Sequence, residues 1–226
     1  MLNWRPGQPV QLSTRRFQLA TLTPADATPL LLSWVNEPEL MRFLNGPRNL
    51  PNLQALVQYI ARHDNRRDFW FGIRREARLV GFLWVDVAEK DRNARTHHLI
   101  GDKALWGSHA ALEARAAVLD FLFWTAGMER VAGSPRADCR AAILGYLKQG
   151  FIYEGTFKSA MRAPDGTRHD MCFLRLLPEE WSAFKEANGP YLRRLSPEQA
   201  ALAAKICGIE GEAAAPSFPA GTRALK

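Results

Sequence analysis

Two adjacent imidazoles are the first chemically suggestive feature of this 226-residue chain. His97 and His98 lie in a segment, 93–100, that reads as a β-strand ending at Gly101-Asp102. Successive strand side chains point to opposite faces, so at most one of the pair serves a given site. Histidine, with an ordinary pKa of about 6.5, can take a proton from an ammonium group directly or through water. One exposed and one packed histidine is the plain structural alternative. Asp86, on the preceding strand, is a second candidate base or a carboxylate for binding an ammonium. The 93–100 segment leads into Trp106-Gly107-Ser108-His109-Ala110-Ala111 and a long helix. Free N–H groups and the positive end of the dipole at such a helix start suit phosphate, although many strand–turn–helix junctions bind nothing. Cys139, Cys172 and Cys207 are odd in number and match neither a zinc spacing nor a disulfide framework. Reduced thiols in a cytoplasmic protein, and no metal, are expected.

Composition narrows the class. The chain is 47% hydrophobic, 23% charged and 10% aromatic, which excludes wholesale disorder and fibrous repeats. Uncharged apolar stretches fall far short of the roughly 20 residues a membrane span needs, and the N-terminus has no signal-type apolar core. No membrane association is expected. The net charge of +7 and pI near 9.7 favour polyanions or simply a solvated basic surface. No run of five or six basic residues marks a nucleic-acid arm, so no specific nucleic acid is expected.

These residues need elements to position them. Residues 1–13 read as an irregular lead-in, Arg16 to Leu22 as a strand, and Thr23-Pro24 as the start of a helix carrying Leu30 to Trp34. A short helix spans about Pro38 to Leu44, and Asn52 caps another that carries Leu56 and Ile60. Strands follow at 69–75 and 79–88, then 93–100, a helix over 108–126, and a strand at 130–134. Asp138 is expected to cap a helix at 139–149 that ends at Gly150. Strands at 151–162 and 168–177 flank Asp165-Gly166, and helices follow at 178–185 and 196–207. Residues 211–226 read as a frayed tail. The division expected is a lead-in at 1–13, one α+β domain at 14–182 and an extension at 183–226.

Four segments, in order, carry a family resemblance: RRFQLATLTPADATPLLLSWVNEPELMRFL (15–44), IGDKALWG (100–107), ILGYLKQGFIYEG (143–155) and DMCFLRLLPEEW (170–181). Together they resemble the GNAT superfamily of acyl-CoA-dependent N-acetyltransferases, in the branch of RimJ/RimL-type ribosomal-protein and amino-sugar acetyltransferases. The resemblance implies a strongly bent, mostly antiparallel sheet of about seven strands with helices on both faces. It also implies a cleft where two central parallel strands splay apart. Acetyl-CoA would enter there as acyl donor, its pantetheine along 95–101 beside Ile100 and Gly101. Its pyrophosphate would rest on Trp106, Gly107, Ser108, His109, Ala110 and Ala111, with Cys139 near the cofactor.

The same resemblance implies direct acetyl transfer to a small-molecule primary amine or a protein N-terminus. Tyr146 stands where many members supply the proton to the leaving thiolate, with core packing as its alternative. His98 or His97 would serve as base, and Trp34, Asn36, Glu37 and Asp86 would line the acceptor side, with core packing the stronger alternative for Trp34. Glu113 matches a glutamate common in this branch and reads as structural or as a surface acid. Departures are plain. Histidine replaces the loop glycine at 109, where it could block the pyrophosphate, contact it, or turn to solvent. Serine replaces a frequent lysine at 108, and the branch's Asn-x-x-Ser is Cys139 to Ala142 here. A second reading follows, a degenerate module that binds a metabolite or partner without turnover. The extension leaves a homodimer open.

Overall fold

The computed structural model describes residues 4–44, 46–47 and 49–208. Eight strands form one sheet in the order β1-β2-β3-β4-β5-β6-β8-β7. They are β1 (Gln11–Ser13), β2 (Gln18–Thr21), β3 (Asp68–Arg75), β4 (Arg78–Ala88), β5 (Asn93–Ile100), β6 (Arg130–Gly133), β7 (Ile152–Arg162) and β8 (Arg168–Leu176). Every pairing is antiparallel except β5 with β6. The expected α+β class, mostly antiparallel, holds, with eight strands where about seven were anticipated. The extra one, β1, lies in the supposed lead-in, where Val10 is buried and Trp4 packs edge-on to Phe121.

The helices are α1 (Pro29–Asn36), α2 (Pro38–Met41), α3 (Leu53–Ile60), α4 (Ala110–Trp124), α5 (Arg140–Leu147), α6 (Pro178–Asn188) and α7 (Pro197–Ile206). Thr23-Pro24 starts only a single 3-10 turn, Pro24–Asp26. The same Thr-Pro signal recurs at Thr28-Pro29, and there the Thr28 side chain accepts from the Leu31 amide at 3.2 Å and starts α1. Asn52 caps α3 as expected, accepting from Ala55 N at 2.9 Å. The 211–226 tail lies outside the described residues. Among those described, no helix is long and apolar enough to cross a membrane.

Two cores sandwich the sheet. Helices α4 and α5 cover one face with Leu119, Leu122, Ile143 and Tyr146, against Phe69, Phe71, Leu83 and Val85 of the strands. Helices α1 to α3 cover the other with Leu31, Trp34, Leu56 and Ile60, against Trp70, Phe82 and Leu99. Alternation along β5 therefore sends Thr96 and His98 toward α4 and α5, and His97 and Leu99 toward α1 to α3.

Candidate active site

Strands β5 and β6 pair only where Asn93, Ala94 and Arg95 face Arg130, Val131 and Ala132. Beyond that they separate, β6 ends at Gly133, and β8 takes its other side. The result is a fork whose open wall is the second half of β5. Tyr146, 4% exposed, stands in it. Its hydroxyl donates to the Thr96 carbonyl of β5 at 2.7 Å. Its ring presses so closely on β6 that a Cβ at Gly133 would lie 2.3 Å from a ring atom. That contact makes glycine obligatory at 133.

The loop between β5 and α4 is held in a defined backbone shape. Asp102 caps a 3-10 turn, Lys103–Leu105, by accepting from Ala104 N at 3.1 Å. The Trp106 indole donates back to Ile100 O at 2.8 Å, which fixes the loop over the end of β5. Gly107 has φ +77° and His109 φ +61°. A histidine thus adopts the left-handed conformation in which glycine is common, a tolerated but uncommon choice. His109 is the N-cap residue of α4 and makes no side-chain cap. The first-turn amides at Ala110 and Ala111 have no partner within the helix. The His109 ring lies beside Lys148, Nε2 to Nζ 3.4 Å. Burial, Lys148 and Arg16 hold its pKa below the ordinary histidine value.

Beneath the loop, Glu113 ties α4 to the β1–β2 turn. It accepts from Thr14 Oγ1 at 2.7 Å, Arg16 N at 2.8 Å and Arg16 Nε at 2.6 Å, and Arg16 also donates to Ser108 O at 3.0 Å. Burial pushes the Glu113 carboxyl upward, but these donors outweigh it and hold its pKa low. Its role is structural, as the sequence suggested.

The paired histidines part company. His97 is half-buried, stacks on Trp84 at 4.9 Å, and sets Nε2 3.1 Å from Asp86 Oδ2. His98 lies on the opposite face, its Nδ1 buried without a partner. Burial first, then the positive charges of Arg115 and His97, push its pKa down to about 3. It is neutral at any ordinary pH.

The other residues expected to line the acceptor side divide. Trp34 is core, its ring so near β5 that a Cβ on Gly101 would fall 2.2 Å away. Asn36 spends both ends of its amide on Leu50, donating to its carbonyl at 2.8 Å and accepting from its N–H at 2.9 Å. Glu37 pairs with Lys103 at 3.1 Å and so braces the loop. Asp86 alone stands beside a candidate base. Asp138 does not cap α5: its carboxylate takes the Arg136 guanidinium, Nε to Oδ1 2.9 Å, and Cys139 occupies the N-cap without a side-chain bond. Burial pushes the Cys139 thiol up to about 11, which removes any thiolate nucleophile at that position.

One strongly placed residue lay unread in the sequence. Arg115 of α4 is 0% exposed. Its Nε donates to Gln149 Oε1 at 2.5 Å, and its guanidinium lies 3.9 Å from the Tyr146 ring centroid. Among the described residues, Nη1 and Nη2 make no well-formed hydrogen bond, and the Tyr146 phenol is their electrostatic neighbour. Gln149, also fully buried, is locked by donating to Leu112 O at 2.8 Å and Tyr191 O at 2.9 Å. Desolvating such a cation costs several kcal/mol. Stacking on the phenol returns about 2 kcal/mol and the charge-assisted bond about 1.5–3. The signal was there: Arg115 follows Leu112 by three residues and precedes Leu119 by four, on the buried stripe.

A family profile described as "Acetyltransferase (GNAT) domain" matches residues 16–151. No curated protein matches the chain. Solved structures align well at low identity. A GCN5-related N-acetyltransferase from Brucella melitensis is 16% identical, with TM-score 0.68 over 82% of this chain and 87% of that one. A ribosomal-protein-S5-alanine acetyltransferase from Vibrio fischeri is 14% identical, with TM-score 0.67 over 76% and 98%. A spermidine N-acetyltransferase chimera from Vibrio cholerae and hSSAT is 15% identical, with TM-score 0.64 over 74% and 98%. At these identities the neighbours establish a shared fold, while the profile spans the strand fork, the loop and the Tyr146 helix. On that match, this chain belongs to the GNAT acetyltransferase family.

Proposed function

We propose that this acetyltransferase moves an acetyl group from acetyl-CoA directly to a primary amine, an amino sugar or a protein N-terminus. The observation that carries the reading is the fork between β5 and β6 with Tyr146 set in it, opening toward a loop whose backbone stays in cradle form. Helix α4 begins there with free amides for a diphosphate. The unpaired edge of β5 beyond Arg95 offers backbone groups to a pantetheine chain. His97, oriented by Asp86, takes the ammonium proton, directly or through water. The neutral amine attacks the thioester carbon, the C–N bond forms, and the C–S bond breaks. Tyr146 turns its hydroxyl from the Thr96 carbonyl to the departing sulfur and regains its proton from solvent.

The family's cosubstrate fits the residues present. His109 keeps the required backbone conformation, and its ring sits beside Lys148 without capping the first-turn amides. Thermal unfolding with and without acetyl-CoA tests the reading. At a hundredfold over Kd the ligand should add about 2.7 kcal/mol of stability. Thiol release with accepted amines should fall about 100-fold in Tyr146→Phe. No stabilisation at millimolar acetyl-CoA would overturn the proposal in favour of a non-catalytic module.

A further inference from the structure

The fork holds a charge that acetyl transfer does not use. Arg115 is fully buried on the α4 and α5 side of β5, and no carboxylate pairs with it among the described residues. Gln149 fixes its Nε, so the two terminal nitrogens are aimed and not free to roam. Gly145 on α5 borders them: a Cβ there would stand 3.7 Å from Nη2, in ordinary contact. Around the same place, on the same face of β5, two more buried polar atoms lack partners, Thr96 Oγ1 and His98 Nδ1. Tyr146 joins this group to the fork, with its ring under the guanidinium and its hydroxyl on Thr96. A fixed guanidinium, a hydroxyl and a neutral imidazole are the groups that bind a planar anion, and a carboxylate matches two terminal guanidinium nitrogens in bidentate fashion.

Resting on the reading above, we propose that Arg115, with Thr96 and His98, receives a carboxylate at the far end of the acyl group. A CoA thioester of a short dicarboxylic acid is then a further donor, held at the same site more tightly than a thioester without the distal carboxylate. The anion belongs to the donor because the pantetheine path ends at Tyr146, on whose ring Arg115 lies. The candidate base, His97 with Asp86, sits on the opposite face of the strand. The transfer itself is unchanged. The amine nitrogen bonds to the thioester carbon, the sulfur leaves and takes a proton, the ammonium proton passes to the base, and the distal carboxylate remains a spectator held by Arg115. The pairing also answers the uncompensated cation, which favours a ligand that brings the missing negative charge.

Titration calorimetry on the full chain, at one fixed salt concentration, separates the possibilities. Butyryl-CoA and succinyl-CoA share a four-carbon acyl chain and differ at its end by a carboxylate. Succinyl-CoA should bind at least tenfold more tightly, and Arg115→Met, a similar volume without charge, should erase that advantage while retaining binding of butyryl-CoA. Equal affinities in the wild-type protein would overturn this inference and leave the acyl-CoA reading standing. Failure of every CoA thioester to bind would overturn both. Free succinate that stabilises the protein as strongly as succinyl-CoA would also sink the inference, because the site would then hold a separate anion. Should Arg115→Met not fold, the wild-type comparison decides alone.

Discussion

The two faces of β5 treat the same side chain in opposite ways. On the α1 to α3 face, His97 keeps contact with solvent, lies flat on Trp84 and has a carboxylate at 3.1 Å. One residue later, on the α4 and α5 face, His98 is also only partly buried as a residue, but its Nδ1 is closed off from solvent and the charge of Arg115 adds to burial in holding its pKa near 3. A one-residue step along a pleated strand thus separates a group able to exchange protons from one that cannot. The difference comes from what each face meets: a hydrated edge with Asp86, or a closed layer holding a cation. As proposed, proton transfer belongs to the first face and recognition of negative charge to the second.

Loss of the imidazole on the hydrated face of β5 should be the most damaging change. His97→Gln removes the proton acceptor but keeps a polar group of similar reach toward Asp86. Turnover, read as thiol release with an accepted amine at neutral pH, should drop at least 100-fold, within the range for loss of a general base. A loss below threefold would mean that water alone deprotonates the amine and that His97 is a packing residue.

The buried side is sharpened by stability and not by rate. His98 has an ordinary pKa of about 6.5 when unfolded and about 3 when folded. Between those values the unfolded chain binds one more proton, so stability rises with pH, and the contribution present above 6.5 is lost as the pH falls toward 3. The slope is at most about 1.4 kcal/mol per pH unit. Urea unfolding at pH 7, 6 and 5 should show a shallower acid decline in His98→Asn than in the parent chain. Parallel declines would mean that the ring protonates in place.

Local signals carried most of the fold. The β5 boundaries, the Asn52 cap and the long helix α4 were readable because periodicity and capping act over a few residues. What failed locally did so through competition. Thr23 and Thr28 offer the same start, and only the second is followed by a continuous apolar face. Asp138 had a nearby arginine to satisfy before any helix amide. The candidate site was less legible because its decisive contacts are long-range. Tyr146 reaches a carbonyl 50 residues away, and Arg115 is held by a glutamine 34 residues away. Neither periodicity nor composition reports such pairings. Only a charge on the apolar stripe of α4 hinted at the second.

The smallest effect concerns the loop that both faces share. His109 is depressed in the free protein by burial and by two cations, Lys148 beside its ring and Arg16 beneath the loop, the latter partly neutralised by Glu113. It is therefore mostly neutral near pH 7. A diphosphate bound on the adjacent amides would raise its pKa, so binding and protonation favour each other. CoA affinity should rise as the pH falls through the window between the depressed free value and the higher bound one, by less than tenfold per unit, and stay flat above it. His109→Gly should retain binding and lose that dependence. If the ring obstructed the cradle, the same substitution would tighten binding equally at every pH. Calorimetry at pH 6 and 8 distinguishes the two: a slope lost means that imidazole and phosphate meet, and a uniform gain means that this position closes a site which glycine would open.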